Sequence, residues 1–225
     1  MNATKFQLAV QQALRNGKSL LLVAPTGLGK TFAVTGDLQE SFCKTVYAVP
    51  LRALGSGIQQ QVAELTRNGK PVHAVIHHGD QQDSVLFGEE VVVTTYDQVV
   101  CGVPGLPLSL PLKAGHAVAG ALLMSRLVLD EAHLAWGISD QALTILLGIV
   151  DFRRKLGLQT VLLTATLPKE IAARIGQEFD LEVLIVGEGA LKEDEGLCER
   201  DAKRQVRVSA LKLKLAEKGD TKKLD

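Results

Sequence analysis

Ser19-Leu20-Leu21-Leu22-Val23-Ala24-Pro25-Thr26-Gly27-Leu28-Gly29-Lys30-Thr31 is the stretch on which the reading of this chain turns. Its first part is short and apolar on both faces, which is how a strand buried on both sides of a parallel sheet reads. Gly27 and Gly29 let the backbone double back and aim its N–H groups inward, and the helical spacing that follows turns the positive end of a helix toward the same point. Strand, glycine-rich turn and helix in that order make a cradle for a triphosphate. In such a cradle Pro25, Thr26, Gly27 and Gly29 wrap the phosphates and Lys30 reaches the β- and γ-phosphates. The Thr31 hydroxyl holds Mg2+, an ion that takes oxygen ligands. Ala24 stands where the general pattern has glycine.

Working outward, further short apolar runs lie at 45–49, 72–76, 91–95, 126–130, 159–164 and 181–186, and segments of helical period at 6–16, 31–42, 51–67, 139–155 and 168–177. Strands alternating with helices predict an α/β fold, a mainly parallel sheet covered by helices on both faces. Ligands of such sheets sit beyond the carboxyl ends of the strands, so the residues just after each run are the functional candidates. Two regions break the rhythm. Residues 101–125 crowd Gly, Pro and Ala around Leu without a clear period and read as an insertion or long loop. From 187 onward the chain turns charged. We expect one ATP-binding domain over 1–187 and a linker over 188–225 leading to a second domain that this chain lacks.

Lys plus Arg and Asp plus Glu both number 25, so no net charge draws the molecule to nucleic acid or membrane, and any such contact must be local. Cys43, Cys101 and Cys198 are too few and too far apart for a disulfide framework or a metal knuckle, which fits a reducing compartment. Neither a leader nor an 18-residue apolar span is present, so the expected location is cytoplasmic.

The run ending at Leu129 is followed by Asp130-Glu131-Ala132-His133. Asp130 is placed to bind Mg2+ through water, and Glu131 to orient and deprotonate an attacking water. Thr164-Ala165-Thr166-Leu167-Pro168 comes later in the chain, and Pro50-Leu51-Arg52-Ala53-Leu54, the turn His77-His78-Gly79 and Thr94-Thr95-Tyr96-Asp97-Gln98 come earlier, each after a strand. His73, His77 and His78 lack metal-ligand spacing, and the turn reads instead as part of a strand-end loop.

In this order the motifs resemble the first RecA-like domain of superfamily 2 helicases, with the match running from Phe6 to Val186. The resemblance implies ATP and Mg2+ as cofactors, Gln7 as reader of the adenine edge, and His133, Thr164 and Thr166 as couplers to a second RecA-like domain. It implies Pro50, Arg52, Gly79, Thr94, Thr95 and Asp97 as grips on the phosphates of a single strand, with Leu51 replacing the Thr usual in the first of these motifs. Within the superfamily, the elements Thr94 to Gln98, Arg126 to His133 and Leu163 to Pro168 look like the CRISPR-associated helicase of type I interference. That likeness implies single-stranded DNA, an RNA-guided surveillance complex and a separate nuclease subunit as partners, since no nuclease motif precedes Phe6. The rival readings are an RNA helicase of the DEAD or DEAH type, a chromatin or restriction-type translocase, and a non-catalytic platform that keeps the fold. Intact Lys30, Thr31, Asp130 and Glu131 weigh against the platform. Without a second domain to supply an arginine finger, the chain alone is expected to hydrolyse ATP poorly.

Overall fold

Side chains in a strand alternate between two faces, and here alternate residues of each apolar run enter two separate cores. Leu20, Leu22, Tyr47, Val49, Val91 and Val93 belong to one, and Leu21, Val23, Val46, Ala48, Val92, Leu127 and Leu129 to the other. The computed structural model describes residues 4–40, 42–134 and 140–186. Their elements run α1 (Lys5–Arg15), β1 (Leu20–Val23), α2 (Lys30–Thr35), β2 (Thr45–Val49), α3 (Gly55–Ala63), β3 (Thr66–Arg67), β4 (Lys70–Pro71), β5 (Ala74–His78), β6 (Gln81–Gln82) and β7 (Val91–Thr95). There follow α4 (Tyr96–Gly102), α5 (Gly115–Leu123), β8 (Arg126–Leu129), α6 (Asp140–Lys155), β9 (Thr160–Thr164), α7 (Lys169–Phe179) and β10 (Glu182–Ile185).

Eight strands form one sheet in the order β10-β1-β9-β8-β2-β7-β5-β6, parallel throughout except for the short edge strand β6. Helices α1 to α3 cover the first core, through Val10, Leu14, Val34, Ile58 and Val62. Helices α4 to α7 cover the second, through Val99, Val118, Leu122, Leu146, Ile149, Val150 and Ala172. This is the expected α/β sheet with both faces covered. None of the described helices is long and apolar enough to cross a membrane.

Residues 101–125 correct the expected loop. They complete α4 and form α5, which carries the crossover from β7 to β8 and buries Val118 and Leu122. The segment Gly115–Leu123 is small and apolar almost all round, so no polar face marks its period. The helix expected over 31–42 ends early, at Thr35, and continues as a 3-10 turn over Gly36–Gln39. Close packing accompanies the change: a Cβ on Gly36 would fall 2.2 Å from Nε2 of Gln11 on α1. The strand expected at 72–76 lies two residues later. The linker expected at 188–225, Cys198 with it, lies outside the described residues.

The amino ends of the strands are braced by buried guanidinium groups. Arg126 meets Asp37 at 2.9 Å. Arg153 is fully buried and donates to the carbonyls of Leu122, Ser125 and Gln159 and to the Thr160 hydroxyl, burial holding its pKa down to about 10. The carboxyl ends are left for other work.

Candidate nucleotide site and the adjoining strand-end face

Register sets the site. Val23 pairs with Thr164, and Leu129 with Leu162, so the loops after β1, β9 and β8 leave the sheet side by side. Ala24 N–H donates to the Thr164 carbonyl at 3.1 Å and Ala132 N–H to the Leu163 carbonyl at 2.8 Å, extending the ladder into the functional residues. Gly27 and Gly29 have φ of 84° and 78°, a left-handed backbone that side chains resist, so these two positions form the turn at little cost. Pro25 and Thr26 lie exposed at its mouth.

Lys30 folds under this loop. Its Nζ donates to the Ala24 carbonyl at 2.9 Å and stands 3.7 Å from Oε1 of Glu131. Glu131 itself has φ 52°, a conformation that costs a non-glycine residue about 1 kcal/mol or more. The ladder bond at Ala132 and the Leu134 N–H donating to the Glu131 carbonyl at 2.8 Å hold it there. Its Oε2 is buried without a hydrogen-bond donor among the described residues, the His133 Nδ1 lying 3.4 Å away. That same Nδ1 lies 3.1 Å from the Thr164 hydroxyl, which also reaches the Thr166 carbonyl at 3.3 Å. His133, Thr164 and Glu131 are thereby brought into one group. Thr166 joins it through its backbone, its side chain being exposed.

Asp130 is 8% exposed. Burial pushes its carboxyl above the ordinary range, while the hydrogen bond from Tyr47 works in the opposite direction. Oδ2 accepts from the Tyr47 hydroxyl at 2.8 Å, Oδ1 accepts from the Glu131 N–H at 2.9 Å, and the Tyr96 hydroxyl donates to the Asp130 backbone carbonyl. Burial, and then the charge of Asp130, raises both phenols, so they remain donors at neutral pH. Thr26, Gly27, Gly29, Lys30, Thr31, Asp130 and Glu131 line a cleft of about 760 Å³ that extends past Phe32 and Thr35 to Gln61 and Glu64 on α3. Backbone N–H groups, an ammonium and two carboxylates around one opening can receive a polyphosphate and activate a water beside it.

Gln7 is fully buried behind the loop. Its Oε1 accepts from the Thr4 N–H at 3.0 Å, closing the capping box of α1, and its Nε2 reaches the Leu28 and Gly29 carbonyls at 3.5 and 3.4 Å. Its amide thus ties α1 to the phosphate loop.

The other expected grips gather at the ends of β2, β7 and β5, where Val49 pairs with Thr95 and His77 with Thr94. Arg52, Gly79 and Asp97 are exposed, and Pro50 is half-buried. Arg52 bonds Asp80 at 2.6 Å and lies across Gly79, where a Cβ would fall 2.8 Å from the guanidinium. Thr94 and Thr95 are buried. The Thr94 hydroxyl donates to the His77 carbonyl at 2.5 Å, and the Thr95 hydroxyl has no partner among the described residues.

The family model of the DEAD/DEAH box helicases matches residues 4–174, which takes in both groups of strand ends. The chain belongs to this helicase family. Among curated relatives, the ATP-dependent RNA helicase DBP3 of Scheffersomyces stipitis is 32% identical over 180 residues, 75% of this chain and 31% of that protein. The ATP-dependent DNA helicase Hel308 of Pyrococcus abyssi is 28% identical over 170 residues, 73% of this chain and 22% of that protein. The crystal structure of the DUF1998 helicase MrfA bound to DNA and AMPPNP superposes with a TM-score of 0.60 at 18% identity, covering 83% of this chain and 27% of that one. The helicase domain described here therefore spans less than a third of the length of the curated relatives it matches. Its RecA-like fold is the one expected from the motifs.

Two residues of the helicase domain at the heart of the site escaped the sequence. Tyr47 and Tyr96 are the chain's only tyrosines, and both touch Asp130. Tyr47 lies inside an apolar run and reads as core. The signal available was its position one strand over from the acidic run, which register alone turns into contact.

Proposed function

We propose that this domain is the ATP-binding half of a nucleic-acid-stimulated motor. The observation that carries the reading is the convergence of Lys30, Asp130 and Glu131 on one cleft beneath a loop of two left-handed glycines. Thr31 and Asp130 offer the hard oxygen donors that Mg2+ takes, and the donor-free Oε2 of Glu131 leaves an acceptor facing a polar site, so the residues fit the ion. Thr31 and Asp130 would hold the ion, which would supply charge neutralisation on the phosphates. The chain's own residues do the rest. Pro25, Thr26, Gly27 and Gly29 enclose the phosphates, Lys30 leaves the Ala24 carbonyl for them, and Glu131 accepts the proton of the attacking water. His133, Thr164 and Thr166 carry the state of Glu131 toward a second RecA-like domain, and Gln7, whose amide now holds the phosphate loop, is the reader of the adenine edge in this reading.

Pro50, Arg52, Gly79, Thr94, Thr95 and Asp97 form the face for single-stranded nucleic acid in this reading. The finer assignment is a DNA motor of the CRISPR-associated type I kind, working with an RNA-guided complex and a separate nuclease. The RNA-helicase reading has its own support in the likeness to DBP3 over three quarters of the chain. Steady-state ATPase of the full polypeptide encoded by the gene separates them, measured with single-stranded DNA, with RNA and with neither. Stimulation by DNA that Lys30→Ala abolishes is expected; stimulation by RNA alone moves the assignment to RNA. ATP binding that Lys30→Ala leaves untouched would sink the motor altogether. The 225-residue chain alone is expected to bind Mg-ATP, hydrolyse it slowly and unwind nothing, since in such motors the second RecA-like domain supplies the arginine finger.

A further inference from the structure

Asp130 follows β8, and the neighbouring strand β2 places one side chain against its carboxylate. The Tyr47 hydroxyl donates to Oδ2 of Asp130 at 2.8 Å, and both residues are buried. A phenol has one proton to give, and here the carboxylate takes it. The same bond fixes the rotation of the Asp130 carboxylate, whose other oxygen is held by the Glu131 N–H.

We infer that Tyr47 is the positioning residue of the cation site: its buried hydroxyl holds the Asp130 carboxylate in one orientation and so presents a ligand oxygen to the cleft. This rests on the reading of Thr31 and Asp130 as Mg2+ ligands. Tyr96 has a different part. It holds the Asp130 backbone carbonyl and touches neither ligand oxygen.

The test is binding of a fluorescent ATP analogue to the full 225-residue chain, with Mg2+ and with EDTA, so that no turnover is needed. Outer partners of metal ligands typically change cation affinity by about tenfold or more. Tyr47→Phe is therefore expected to cut the Mg2+-dependent gain in nucleotide affinity about tenfold, and to raise the half-saturating Mg2+ concentration to match, with the affinity in EDTA unchanged. Tyr96→Phe is expected to keep most of the gain. A full gain in Tyr47→Phe overturns the inference. So does equal weakening with and without Mg2+, which, with a lowered melting temperature, would make Tyr47 a support of the fold only. Asp130→Ala separates the two levels: if it keeps the gain, the ligand reading fails and the positioning role with it; if it loses the gain while Tyr47→Phe does not, only the positioning role fails.

Discussion

The carboxyl edge of one sheet carries two sites built on opposite plans. At β1, β9 and β8 the charged groups are withdrawn from water: Lys30 and Asp130 are 7% and 8% exposed, and each is tied to a named atom. At β2, β7 and β5 the charges stand in solvent, with the Arg52 and Asp80 side chains 51% and 72% exposed, while the hydroxyls of Thr94 and Thr95 are buried. The difference fits what the proposed function asks each edge to hold. Chemistry on one phosphate needs atoms fixed to a fraction of an ångström, and burial removes the alternatives. A grip on a repeating backbone needs charge at the right height and tolerates motion.

The hardest test of this contrast falls on the rigid half. Glu131→Gln keeps the shape and loses the proton acceptor, so hydrolysis by the full polypeptide is expected to fall about 10²- to 10⁴-fold while nucleotide binding persists. Rapid-quench turnover beside equilibrium binding measures both. An unchanged rate would remove Glu131 from the chemistry and leave its left-handed backbone without a purpose. On the open half the expected effect is smaller. Arg52→Ala removes one charge-assisted contact and is expected to weaken single-strand binding about tenfold. It also lowers the slope of log affinity against log salt by about 0.7, with ATP binding untouched. A loss of ATP affinity equal to the loss of strand affinity would mean the two edges are one site.

The two halves were also unequally legible. Gly27, Gly29, Lys30, Asp130 and Glu131 announce themselves because each lies at a strand end in a local pattern, and local patterns survive in one dimension. The alternating cores were legible for the same reason, since runs such as 45–49 and 91–95 are mostly apolar and present apolar residues to both faces. What escaped was either uniform or distant. Helix α5 has no polar face to give it a period. Tyr47 acquires its role only when β2 pairs with β8, which brings residues 83 positions apart to 2.8 Å. The burial of Thr94 and Thr95 likewise follows from β7 being an interior strand, which no motif states.

The Arg52–Asp80 pair sets the finest test, because in the proposed function Arg52 grips a phosphate and here its guanidinium is held by the Asp80 carboxylate. The Asp80 N–H is held by Nδ1 of His78 at 3.3 Å, and Gly79 leaves room for the guanidinium to lie flat against the turn. An exposed pair of this kind contributes about 0.2–1 kcal/mol, little enough for a polyanion to displace it. Asp80→Asn keeps the turn, frees the guanidinium and removes a negative charge from the path of the strand. Binding of single-stranded nucleic acid is therefore expected to tighten about twofold to fivefold. The gain should vanish in the Arg52→Ala background, since it is Arg52 that is released. Anisotropy titrations of the four variants at two salt concentrations give the coupling directly. If Asp80→Asn instead weakens binding, Asp80 is aiming Arg52 rather than competing for it, and the open half is more tightly built than its exposure implies.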